Sequence, residues 1–126
     1  MNIRMIVAGL AGFLAVALAA FGAHGLPDAL PAARRDAFDI AAQLHLAHAI
    51  FLAGLALAPA SARLRWSYLF VLAGMMLFCG ALYAFALTGA RAAALIAPIG
   101  GASFMAGWIL FAAAGFSPAS PAKANR

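Results

Sequence analysis

Four long apolar stretches constrain this chain more than any other feature. The first runs from Met5 to Ala23 without a charge. As a helix rising about 1.5 Å per residue it extends roughly 28 Å, close to a hydrocarbon core of about 30 Å. The second, from about Ile40 to Ala58, is interrupted by Gln43, His45 and His48. The third, Trp66 to Leu87, opens with Trp66 and Tyr68, which suit a membrane–water boundary. The fourth, from about Ala92 to Phe116, contains Pro98, Gly100 and Gly101. Lipid offers backbone groups no hydrogen-bond partners, so stretches this long must be helices. The expected fold class is all-α, an integral membrane bundle of four transmembrane helices.

Composition excludes the common alternatives. Of 126 residues, 67% are hydrophobic and 9% charged, against about 25% charged in a soluble domain. A cytosolic enzyme, a nucleic-acid-binding domain and a disordered tail are ruled out. The net charge of +5 therefore reads as a membrane-orientation signal rather than a nucleic-acid footprint. The single cysteine, Cys79, excludes an internal disulfide and a Cys-cluster metal site. One transmembrane domain over residues 1–116 is expected, followed by a flexible Pro/Ser/Ala-rich tail, 117–126.

The connections are short, as in an antiparallel bundle. The longest, 24–39, contains Pro27 and Pro31. Pro31 is expected at the first position of a short interfacial helix carrying Arg34, Arg35, Asp36 and Asp39 before the second span. Span one has some signal-peptide character, with Arg4 ahead of the apolar run and small residues near Ala17 and Ala19. Its apolar run is longer than a usual signal core, so a retained helix is expected. With four spans, Arg4, Arg63, Arg65, Lys123 and Arg126 share one side without an acid. Arg34, Arg35 and Arg91 lie on the other with all three aspartates. The positive-inside rule then puts both termini in the cytoplasm.

Alanine is abundant, at 37 residues. Ala11, Ala15, Ala19 and Ala23 recur every four residues, and Ser103, Gly107, Phe111 and Gly115 do the same. Such spacing lets helix backbones approach closely in lipid. The histidines are the main polar set. His45 and His48 lie about 60° apart on one helix face, and His24 sits just beyond span one. Three readings stay open from the residues: structural hydrogen bonding, a metal or haem site, and proton or solute handling. Asp36 and Gln43 lie nearly opposite His45 and His48 and cannot support a metal site there. Tyr83 is placed to share its hydroxyl with a histidine or a freed carbonyl. Cys79 has no cationic neighbour within a turn and reads as an inert thiol. Pro98 disturbs the carbonyl of Ala94, and the Gly100–Gly101 pair weakens the helix further. That break reads either as a kink for close packing or as a broken helix whose amides attract an anion. If there is a functional centre, it is expected in the outer half of the bundle, among His24, His45, His48, Tyr83, Pro98, Gly100 and Gly101.

Four motifs occur in order: FGAHGL (Phe21 to Leu26), AAQLHLAHAIFL (Ala41 to Leu52), FCGALYAFALTG (Phe78 to Gly89) and APIGGASFMAGW (Ala97 to Trp108). In this the chain resembles the YgdD-like family of small bacterial inner-membrane proteins, related to eukaryotic transmembrane protein 256. The resemblance covers roughly residues 5 to 115. The chain departs from the family pattern at Leu44 (tyrosine), at Cys79-Gly80-Ala81 (a serine-rich run) and at Ala97 (threonine). The resemblance implies a four-helix inner-membrane protein of a family classed as of unknown function, and carries over no catalytic residue.

No hydrolase triad, P-loop or dinucleotide motif is present in the sequence. The expectation is a non-enzymatic accessory or scaffold subunit with no cofactor. Its partners would be the lipid bilayer, with further copies of itself or a larger membrane complex, and no nucleic acid. The alternative is a small channel or transporter built on His45, His48, Tyr83 and the Pro98 break.

Overall fold

A computed structural model describes residues 1–116; the expected tail, 117–126, lies outside the described residues. Four helical segments of 22, 26, 27 and 25 residues are long and apolar enough to cross a membrane. The first is α1, Ile3–His24. Its N-cap Asn2 accepts from the Met5 amide through its side chain, at 3.4 Å, satisfying one of the orphan donors of a first turn.

The second is α2, Ala32–Leu57. It is continuous, so the short helix expected before the second span forms the first turns of α2 rather than a separate element. Pro31 is the N-cap and not the first helical residue. No proline or glycine stands between Ala32 and Ile40, so the charged turns pass into the apolar ones without a break.

The third span joins α3, Ala62–Gly74, a π-helical turn, Met75–Cys79, and α4, Gly80–Thr88. It ends at Gly89, whose φ of 76° is left-handed, the conformation that a helix C-terminus commonly takes at glycine. The fourth span is divided. α5, Arg91–Ala94, stops where Pro98 would clash with the carbonyl four residues before it, and α6, Ala97–Gly115, begins with Pro98 in its first turn. The missing proline donor is harmless there, because first-turn donors have no intrahelical acceptor.

α1 packs on α2, α2 on the third span, and the third span on α6. α2 is the central helix, 44% buried over its most apolar window against 17% for α1. The main core gathers Leu52, Leu55, Val71, Met75, Cys79 and Phe104, and a smaller cluster beside the loop between α1 and α2 holds Leu26, Phe38 and Ala86.

Small residues set the closest crossings. A Cβ on Gly107 would lie 2.6 Å from Val71 Cγ2, one on Gly74 would lie 2.9 Å from the Gly100 carbonyl, and one on Gly100 would run into the Phe78 backbone nitrogen. The buried stripe on α1 differs from the four-residue series. Ala8 and Ala15 are buried, Ala19 and Ala23 are exposed, and Gly22 takes over against the Phe38 ring. Four residues turn a helix by about 400°, so a four-residue series drifts about 40° per step and slides off the contact. On α6 the same drift leaves Gly107 buried and Phe111 and Gly115 exposed, while Ala97, Gly100 and Phe104 complete the seam.

Candidate functional site

The two α2 histidines are buried, His45 at 5% and His48 at 7% exposed, but they serve different seams. Three residues rotate the side chain by about 60°, enough to send His45 toward α4 and His48 toward α6. Nδ1 of His45 lies 3.3 Å from the Tyr83 hydroxyl, with the rings edge-on at 6.0 Å. Tyr83 is in turn held edge-on against Phe38, at 5.0 Å.

His48 stacks on Phe104 with ring centroids 3.7 Å apart and planes 19° from parallel. Its Nε2 receives the indole N–H of Trp108 at 3.3 Å, and its Nδ1 is 2.8 Å from the Leu44 carbonyl. An indole nitrogen only donates and a carbonyl only accepts. The partners therefore fix a neutral imidazole with its proton on Nδ1. Trp108 is positioned in its turn by Phe51, stacked at 4.0 Å and 8°.

Hydroxyls bind the third span to α6. Ser67 Oγ donates to the Gly107 carbonyl at 2.8 Å, and Ser103 Oγ donates to the Phe70 carbonyl at 2.7 Å. The first bond depends on Gly107, whose missing side chain lets the two backbones approach. Tyr68 Oη donates to the Arg4 carbonyl at 2.9 Å and ties α3 to the start of α1. At the opposite end, Arg34 Nε donates to the Ala86 carbonyl at 2.7 Å. It places a cation on the last turn of α4, where unpaired carbonyls and the helix dipole favour one.

The single outer cluster expected from the sequence is thus distributed. His45 and Tyr83 meet. His48 lies about one turn nearer the C-terminus of α2, with Trp108. His24 is exposed in the last turn of α1 and joins neither pair. Pro98 is exposed, and Gly100 sits against the π-helical turn at Phe78, with Gly101 beside the same ring. The Pro98 break therefore stands at a close helix crossing. Among the described residues no three His, Cys, Asp or Glu side chains converge to hold a metal ion. Asp36 and Gln43 are exposed, away from both histidines.

Sequence reasoning missed Trp108, Arg34 and the two serines as partners. The indole N–H was the one available signal, since hydrocarbon offers such a donor no acceptor. A groove of about 320 Å³ also lies between α1 and the third span, with His45 and Tyr83 in its lining.

Residues 18–101 match the family described as "Protein of unknown function (DUF423)". The chain is 38% identical over 109 residues to the UPF0382 inner membrane protein YgdD of Escherichia coli (strain K12), covering 84% of this chain and 83% of that protein. It is 36% identical over 123 residues to a UPF0382 membrane protein of Haemophilus influenzae, covering 94% and 98%. A UPF0382 membrane protein of Staphylococcus epidermidis is 34% identical over 112 residues, covering 87% and 92%. No solved structure matches the chain. With a family match over most of its length, relatives similar along nearly the whole chain and four membrane-length helices, the protein belongs to the DUF423 (UPF0382) family of membrane proteins.

Proposed function

We propose that the protein is a non-enzymatic accessory or scaffold subunit of the bacterial inner membrane, packing with copies of itself or with a larger membrane complex. The observation that carries this reading is where the polar side chains are spent. Tyr83 with His45, Trp108 with His48, Ser67, Ser103 and Tyr68 each form a bond to another helix of the bundle. In hydrocarbon such groups act as joints between helices. The arrangement serves a rigid packing unit better than a polar path for an ion, which needs side chains lining a continuous channel.

Both termini are placed in the cytoplasm on this reading. The five basic residues of one side against three of the other support that orientation, and the relatives named as inner membrane proteins support the location. Isolation of the tagged chain from native membranes in mild detergent tests the function. A fixed-stoichiometry complex, with itself or a second membrane protein, is expected. A monomer without partners that carries an ion flux in proteoliposomes would overturn the proposal in favour of a channel.

A further inference from the structure

We propose that the groove between the first turns of α1 and α3 binds an anionic phospholipid. Arg4 and Arg65 hold its phosphate, and an acyl chain lies along Val7 and Leu69. The proposal stands independently of the assembly role above. α1 and α3 begin at the same end of the bundle and run away from it in parallel. Each carries an arginine in its first turn and an apolar residue one turn deeper, Arg4 then Val7 and Arg65 then Leu69. Residues three or four apart share a helix face. The Tyr68 hydroxyl, three residues on from Arg65, donates to the Arg4 carbonyl at 2.9 Å, which brings both arginine positions to one seam. There they line a groove of about 340 Å³ with Ile3, Val7, Tyr68 and Leu69. Ile3 and Leu69 are 60% and 44% exposed, so the apolar walls are open to the lipid around the bundle.

Charge selects the headgroup. Neither guanidinium has a hydrogen-bond or ion-pair partner among the described residues. The three acids of the chain, Asp28, Asp36 and Asp39, all precede Ile40, at the opposite end of the bundle. From Asp39 to Leu57, the last residue of α2, the helix rises roughly 27 Å, about three Debye lengths at physiological salt. Two uncompensated cations therefore border the groove. Their planar forks can share the oxygens of one phosphodiester. A zwitterionic headgroup matches less well, because its ammonium meets cations and no carboxylate. The apolar walls select a lipid over a free phosphate, since Val7 and Leu69 offer a surface to a chain and none to an inorganic anion. Depth agrees with this choice. First-turn arginines of membrane-length helices stand at the level of the headgroups, where basic residues attract anionic lipid.

Native mass spectrometry of the full chain in a neutral maltoside detergent tests the proposal, with dioleoylphosphatidylglycerol and dioleoylphosphatidylcholine titrated separately. The first phosphatidylglycerol is expected to bind at roughly 10- to 30-fold lower concentration than phosphatidylcholine, each arginine contributing about fivefold. Arg4→Gln and Arg65→Gln should each raise the phosphatidylglycerol concentration required about fivefold, and the double variant should bring it to the phosphatidylcholine level. Leu69→Trp, which fills the groove from its exposed wall and leaves both arginines in place, should also raise it. Arg91→Gln, which removes an exposed cation at the opposite end, should leave it unchanged, and added inorganic phosphate should not displace the lipid. Equal binding of the two lipids, a preference that survives the double variant or Leu69→Trp, or an equal loss in Arg91→Gln would overturn the proposal. So would displacement by inorganic phosphate, which would assign the two arginines to a free anion.

Discussion

Trp108 donates its indole proton to Nε2 of His48 across the α2–α6 seam, at 3.3 Å. The other ring nitrogen of His48 faces the Leu44 carbonyl of its own helix, so one imidazole couples two helices while staying neutral. Its stacking on Phe104 fixes the ring plane, which makes the bond to Trp108 directional.

Removing the indole donor strands a buried acceptor. Trp108→Phe keeps an aromatic ring beside Phe51 but leaves Nε2 of His48 without its partner. A loss of about 1–3 kcal/mol is expected, the cost of an unsatisfied buried polar group. Thermal unfolding in detergent checks it, and a variant as stable as the parent would mean that water or lipid groups reach Nε2.

Glycines at crossings should differ from glycines at open positions. Gly100→Ala pushes a methyl group into the Phe78 backbone, whereas nothing lies within 4 Å of a Cβ on Gly54. The first should destabilise by about 1–3 kcal/mol, as overpacking does. The second should be neutral or stabilise by about 0.5–1 kcal/mol through lower backbone entropy in the unfolded chain. Paired melting curves give the sign of each.

Arg34 closes the end of α4 through the Ala86 carbonyl. Arg34→Gln removes both the charge and the Nε donor, and should cost about 1 kcal/mol at this part-exposed position. Hydrogen exchange localises the effect. Faster exchange in the last turn of α4, with α6 unchanged from Phe104 onward, is the expected pattern.

Orientation has a direct readout. Reporters active only in the periplasm or only in the cytoplasm, fused after Arg126, should show the C-terminus on the cytoplasmic side. A periplasmic signal from most molecules would reverse the assignment based on Arg4, Arg63 and Arg65.

The spans were legible because apolar runs of membrane length admit one backbone solution. The meeting of Tyr83 with a histidine was also within reach, since both lie near one level in an antiparallel arrangement. The separation of His45 from His48 was not. A 60° difference decides between neighbours only once the rotation of α2 against α4 and α6 is known, and the almost wholly apolar faces of α4 and α6 leave that rotation unmarked. The same uncertainty hid the fading of the alanine series after Ala15. The π-helical turn at Met75–Cys79 carries no proline and follows Gly74. Its place opposite Gly100 is a property of the crossing between spans, which one segment does not encode.

The central claim is that the intramembrane polar residues act as two separate joints between helices. Double-mutant cycles over His45→Ala, Tyr83→Phe, His48→Ala and Trp108→Phe test it most directly, read as unfolding free energies in one detergent. Coupling of about 0.6 kcal/mol, and up to about 1.7, is typical of polar pairs in a membrane bundle. The account predicts coupling of that size for His45 with Tyr83 and for His48 with Trp108, and values near zero for His45 with Trp108 and for His48 with Tyr83. Strong coupling across the pairs, or none within them, would contradict it.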